Sequence, residues 1–220
     1  GVGSHAEGYN TNTNNARISN AGVFSHAEGN GTLTIGKASH AEGKFTTSSG
    51  NYSHAEGFLS VAGRRASHAE GNSTSASAAY SHTEGILTKT YGHHSHAEGA
   101  TSRTYGEGAH AEGEFTLASG SYSHAEGKGT IAQKDYSHAE GINTRTSGSF
   151  GAYSHVEGYY SLASAQNAHA EGYSSDATGF MSHAEGKNTI ASAFYSHAEG
   201  SGSKADGNSS HAEGKKTEAL

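Results

Sequence analysis

Polar, small and aromatic positions along this chain recur in one fixed order, not in blocks of helical or simple strand length. The pentad Ser-His-Ala-Glu-Gly or a close variant occurs fifteen times, with histidines at His5, His26, His40, His54, His68, His82, His96, His110, His124, His138, His155, His169, His183, His197 and His211. Twelve of the fourteen spacings are 14 residues, and the other two are 21 (His5 to His26) and 17 (His138 to His155). The variants are Thr83 or Val156 in place of Ala, and Ala109 or Ala168 in place of Ser. A period held this closely marks a repeat architecture.

The rest of each unit is patterned as well. Three residues after the pentad Gly stands Thr or Ser, as in Thr11, Thr32, Thr46, Ser60, Thr74 and Thr217, and two residues later stands Ala, Ser or Thr. Two further on, eight of the fourteen complete repeats carry Gly: Gly36, Gly50, Gly92, Gly106, Gly120, Gly148, Gly179 and Gly207. The pattern predicts two short strands and two tight turns per unit, with Gly where positive φ or close backbone approach is needed. Gly-rich units with period-2 patterning and frequent Thr do not make an amphipathic helix. The calcium-binding nonapeptide pattern is absent too. The expected fold is all-β: a parallel β-roll of about 15 coils of 14 residues. Each coil would climb ~4.8 Å, for a rod of roughly 70 Å. A single repeat domain is expected over residues 1–214, with 215–220 starting a C-terminal connection to a further segment. The chain starts inside a repeat, as a piece of something longer would.

Alternation across a strand assigns the faces. In the pentad strand, Ser and Ala share one face, and His and Glu share the other. The residue before Ser, taken as part of the same strand, joins the His/Glu face. It is Tyr in six repeats and Phe24 or Met181 in two more. In the second strand the small Thr/Ser and Ala/Ser/Thr positions make one face, and the position between them varies freely: Leu33, Val61, Lys89, Arg103, Ile131, Asp176. Uniformly small residues suit the inside of a thin roll, and free variation suits solvent. The outward Tyr/His/Glu face is nearly invariant, which solvent would not impose. It is expected to meet an object of the same period, most simply another copy of this chain, parallel and in register. The expected subunit interface comprises Tyr52, His54, Glu56, His68, Glu70, Tyr80, His82, Glu84, His96, Glu98, His110, Glu112, Tyr122, His124, Glu126, Tyr136, His138, Glu140, Tyr153, His155, Glu157, His183, Glu185, Tyr195, His197 and Glu199. A roll cored by Ser, Ala and Thr buries little apolar area, which also favours a partner.

Composition changes this picture little. With 32 Gly, 32% hydrophobic residues and a mean hydropathy of -0.70, the chain would by composition alone read as disordered. Fixed spacing over the whole chain argues against that. There is no Cys, so no disulfide framework, and no apolar run of membrane-spanning length. The first residues, Gly1-Val2-Gly3, do not read as a signal peptide. Net charge is -7 with scattered Lys and Arg, which argues against a nucleic-acid partner.

The pentad resembles the head repeats of trimeric autotransporter adhesins of the YadA type and related repeats in phage tail fibres. Those heads carry Ser-Val-Ala-Ile-Gly. Here His replaces Val and Glu replaces Ile, as in Ser53-His54-Ala55-Glu56-Gly57. The resemblance covers all but the last few residues. It implies a left-handed roll, a parallel homotrimer and a role in extracellular attachment, in a virion tail fibre or at a bacterial surface. An ionic seam stands where those relatives have an apolar one, so their ligand binding does not carry over. A host cell-surface glycan or protein is the partner such a role implies.

Fifteen His-x-Glu pairs also raise metal binding. An inter-chain His-to-Glu ladder is the favoured reading, because an ion at every level would stack charge at ~4.8 Å. No metal and no cofactor is therefore expected. Catalysis needs a constellation that stands apart from the repeat. None does, and Ser alternates to the face opposite His, so no enzyme activity is expected. An ice-binding surface would need outward Thr ranks, whereas these are expected inside. His93 and His94 read as surface residues, and the insertions at about Ala16 to Val23 and Ser149 to Ala152 as tolerated loops. An attachment-fibre segment is the leading function, and the alternatives are a passive spacer shaft with recognition elsewhere or a His/Glu metal-binding β-solenoid.

Overall fold

The structure, a computed structural model, describes residues 2–12, 22–148 and 152–220. The chain divides into two compact units, Gly1–Gly108 and Ala109–Leu220. Both are all-β, with no helix among the described residues. In the first unit, seven five-residue pentad strands, from His5–Tyr9 to His96–Ala100, pair in parallel and in chain order. Six two-residue strands, from Leu33–Thr34 to Arg103–Thr104, make its second sheet. The second unit repeats the plan with eight pentad strands, from His110–Glu114 to His211–Lys215, and eight short ones, from Leu117–Ala118 to Glu218–Ala219. Each unit is a parallel β-solenoid, as the periodicity predicts.

Register sets like upon like: His54 pairs with His68, Ala55 with Ala69, Glu56 with Glu70 and Gly57 with Gly71. The two long spacings keep it, with His5 opposite His26 and His138 opposite His155. The insertions responsible fall mostly on residues 13–21 and 149–151, outside the described residues. The paired strands run on to Ala219, since Glu218–Ala219 pairs with Lys204–Ala205. Thr217 and Ala219 there still supply the small residues that a coil needs.

The interior is as small and polar as the alternation requires. Ala55, Ala62, Ala69 and Ala76 form one buried cluster in the first unit, and a longer Ala column with Val156 runs through the second. Pentad serines and most of the Thr/Ser column are buried beside them. These hydroxyls close the coil. Ser53 Oγ donates to the Gly50 carbonyl at 2.6 Å, Ser67 to Arg64 at 2.7 Å and Ser123 to Gly120 at 2.6 Å, each clamping the turn that precedes its strand. Ser60 Oγ donates to the Gly71 carbonyl at 3.0 Å and Ser175 Oγ to the Gly186 carbonyl at 3.0 Å, tying one coil to the next.

Two corners per coil are left-handed. The residue two before His is one: Tyr52 (φ +61°), Tyr80 (+58°), Tyr122 (+56°). The residue five after His is the other: Leu59 (+57°), Phe115 (+58°), Asn143 (+54°). Such backbone costs a non-Gly residue ~1–2 kcal/mol. It is offset by hydrogen bonds along the stack, such as Tyr52 N–H to the Lys37 carbonyl (2.8 Å) and Leu59 N–H to the Lys44 carbonyl (3.0 Å). The pentad Gly has φ between +96° and +116° in every coil. A Cβ on most of these glycines would also run into the carbonyl of the next coil's pentad Gly. The second Gly column differs: Gly36, Gly50, Gly92, Gly120, Gly179 and Gly207 have no positive φ, and close approach of the next coil's backbone is what makes Gly fit there.

Candidate functional site: the stacked His/Glu face

Each pentad strand turns Ala inward and sets His and Glu on the opposite face. Because strands pair like upon like, the imidazoles stack. In the first unit, ring centroids are 4.7 Å apart for His40–His54, 4.8 Å for His54–His68 and 4.7 Å for His68–His82, with planes within 8° of parallel. In the second unit, His110–His124 and His124–His138 stack at 4.8 Å, and His155–His169 at 4.9 Å with a tilt of 23°. These separations are the inter-strand spacing of the sheet, ~4.8 Å, imposed on the rings by the backbone.

In thirteen of the fifteen coils, His Nε2 lies 3.5–4.0 Å from its own Glu Oε2, for example 3.7 Å for His54–Glu56, 3.6 Å for His183–Glu185 and 4.0 Å for His68–Glu70. Most of these separations exceed hydrogen-bond range. The His and Glu side chains are half-buried, yet the Nε2 atoms of His54, His68, His82, His124 and His138, among others, are buried with no hydrogen-bond partner. Burial holds His40, His68, His124, His138, His169, His183 and His197 below the usual imidazole pKa, neighbouring histidines add to the depression, and the glutamates oppose it. These seven imidazoles are therefore shifted toward the neutral form. His40, Glu42 and His54 place one ligand atom each within 4.8 Å of one another, as do His68, Glu70 and His82.

The tyrosines sit elsewhere than strand alternation suggests. The pentad strand begins at His, and Tyr52, Tyr80, Tyr122, Tyr136, Tyr153 and Tyr195 occupy the left-handed corner two residues earlier. There they are half-exposed, and in the second unit Tyr122 stacks on Tyr136 at 5.4 Å and Tyr136 on Tyr153 at 5.1 Å. In the first unit His94 takes the same corner, stacked on Tyr80 at 5.1 Å and 2°. Its place two residues before His96 is the sequence signal for this. Tyr91 and Tyr105 begin another exposed column, at 4.7 Å. In the second unit, Ser164, Gln166, Thr178, Phe180, Phe194 and Tyr195 line an open cleft of about 510 Å³. The signal for that cleft is the 14-residue spacing of Phe180 and Phe194. Ser and His of one pentad face opposite ways, with Ser123 Oγ engaged inside on the Gly120 carbonyl while His124 stacks outside.

No protein-family model matches the chain, and no curated protein matches its sequence.

Proposed function

We propose that this chain is the repeat segment of a trimeric extracellular attachment fibre, of the phage tail-fibre or bacterial adhesin-head kind. The observation that carries the reading is the contrast between two exposed faces of one solenoid. The outward position of the short strand varies freely, from Leu33 and Val61 to Lys89, Arg103 and Asp176. The outward His and Glu of the pentad do not vary, and they stack in register. A side-chain pair that solvent does not require, repeated at every coil, fits a partner with the same repeat, and a parallel second copy has it. The small interior supports this, because Ala, Ser and Thr release little apolar area on folding and leave stability to be found at an interface. Three chains, a left-handed coil and the attachment role come from the resemblance to adhesin heads and tail-fibre repeats.

Light scattering on the native protein tests the assembly. A mass of three chains is expected, and a folded monomer at micromolar concentration would end the reading. Binding to host cells or an array of surface glycans tests attachment. An intact trimer that binds none of them would make the segment a spacer shaft.

A further inference from the structure

We propose that adjacent coils, taken in pairs, bind one borderline-soft divalent transition-metal ion such as Zn²⁺, through the two stacked His Nε2 atoms and the Glu carboxylates beside them. The clearest sites are His68 with Glu70 and His82, and His40 with Glu42 and His54. This departs from the expectation of a metal-free seam, and goes beyond the assembly proposed above without resting on it, because all the ligands of a site belong to one chain.

Two observations and one chemical requirement converge. First, Nε2 of His40, His54, His68 and His82 is buried without a hydrogen-bond partner, so each ring presents a ligand atom that nothing else satisfies. Second, a neutral imidazole offers a lone pair there once its proton sits on Nδ1. Third, the carboxylates already stand alongside: Glu70 Oε2 is 4.0 Å from His68 Nε2, and Glu42 Oε2 is 3.9 Å from His40 Nε2. Zinc–nitrogen bonds of ~2.0–2.1 Å require ligand atoms no more than about 4.2 Å apart. The groups within 4.8 Å therefore need only a modest inward tilt, and the half-exposed Glu side chains have room to follow.

Charge sets the stoichiometry. An ion at every coil would place divalent charges ~4.8 Å apart, which is prohibitive. One ion per two coils doubles that separation and uses each His once. Its two positive charges balance the two carboxylates of the pair, Glu70 and Glu84 for the pair containing His68 and His82, which pair in register and otherwise repel. Two nitrogens and one or two carboxylate oxygens favour Zn²⁺, Co²⁺, Ni²⁺ or Cu²⁺ over Ca²⁺ and Mg²⁺.

The test uses untagged protein stripped with chelator. Calorimetric titration with Zn²⁺ is expected to give about one ion per two coils. Cu²⁺-loaded protein should show two imidazole nitrogens per ion by electron paramagnetic resonance. Replacing one pair of coils with apolar residues (H68V, E70I, H82V, E84I) should remove one ion per chain, while H93A with H94A should leave the count unchanged. The milder pair E70Q and E84Q, which keeps the shape of the face, should weaken Zn²⁺ at that site about tenfold. The inference is overturned by an ion count that the fourfold variant leaves unchanged, by one that falls with His93 and His94, or by a Cu²⁺ signal with a single nitrogen. Chain mass from light scattering is read separately, so failure of metal binding and failure of trimerisation are distinguishable.

Discussion

Replacing Gly127 by Ala should be among the most damaging single changes in the second unit, and replacing Gly63 by Ala, in the first unit, among the mildest at a glycine. Gly127 has φ +109°, and a Cβ there would run into the Gly141 carbonyl. Backbone of that kind costs a side chain ~1–3 kcal/mol. Relieving the overlap would push two coils apart and weaken their local hydrogen bonds, at ~1 kcal/mol each. The sum is about 4 kcal/mol, in the range seen only where a specific structural requirement is broken. Gly63 lacks positive φ, a Cβ there would come no nearer than 3.4 Å to the Ala76 carbonyl oxygen, and the equivalent positions in other coils include Ser49, Ser77 and Gln133. A Cβ therefore fits there without displacing the neighbouring coil, and the change should be within about 1 kcal/mol of neutral. Urea denaturation followed by circular dichroism would compare the two variants with the parent. Because stacked repeats can unfold coil by coil, amide hydrogen exchange should accompany it, with faster exchange centred on the coils around Gly127. If G127A lies within 1 kcal/mol of G63A, the stated reason for the invariant glycine is wrong.

Other outcomes follow from the interior and the seam. Ser123→Ala removes a 2.6 Å clamp on the Gly120 carbonyl and should cost ~1 kcal/mol, whereas Ser182→Ala, at a buried hydroxyl with no partner, should be close to neutral in the same urea assay. In chelator-treated protein, stability should fall as pH drops below about 6.5. The seven depressed histidines bind protons more tightly unfolded than folded, so their contribution is complete above the unfolded pKa and lost as pH falls through the lowered folded values. Thermal melts between pH 8 and pH 5 check it, and a flat profile would refute it. Changing Glu56, Glu70 and Glu84 to Ala should lower the melting temperature of the assembly by ~3–6 °C, from half-exposed pairs of ~0.5 kcal/mol each. Changing both partners in those coils to Val and Ile should be neutral or stabilising. Equal losses in the two variants would show that the face is not an interchangeable packing surface.

Much of the roll was legible because its rules are local and repeated. The 14-residue period gives the coil, and alternation within Ser53-His54-Ala55-Glu56 places Ser and Ala inside and His and Glu outside. The corners were not legible. Positive φ is ordinarily sought at Gly or Asn, yet here it falls on Tyr52, Leu59, Phe115 and Met181, held by hydrogen bonds to neighbouring coils. Nothing local in those residues announces it. The nearest hints are Gly31, Gly129 and Gly202, which occupy the second corner in three coils. Treating Tyr as a strand residue followed from missing that corner. The second Gly column misleads in the opposite sense, since crowding and not chirality selects Gly there. The His/Glu column was visible as a pattern, but the stranded Nε2 atoms were not, because they arise only when coils stack.

Pairing like with like also makes the stack nearly indistinguishable from itself after a shift of one coil. His68 would meet His96 as readily as it meets His82, so a chain displaced by fourteen residues along a neighbour finds the same seam again. Correct alignment must then be written in the exceptions. The 21- and 17-residue spacings, Thr83 and Val156 inside, and the His93-His94 pair at the corner break the sameness at separate places, like graduations on a scale. A chain rebuilt entirely from the consensus coil would keep the fold and lose the ruler, and should assemble as a ladder of offset species, not one defined particle.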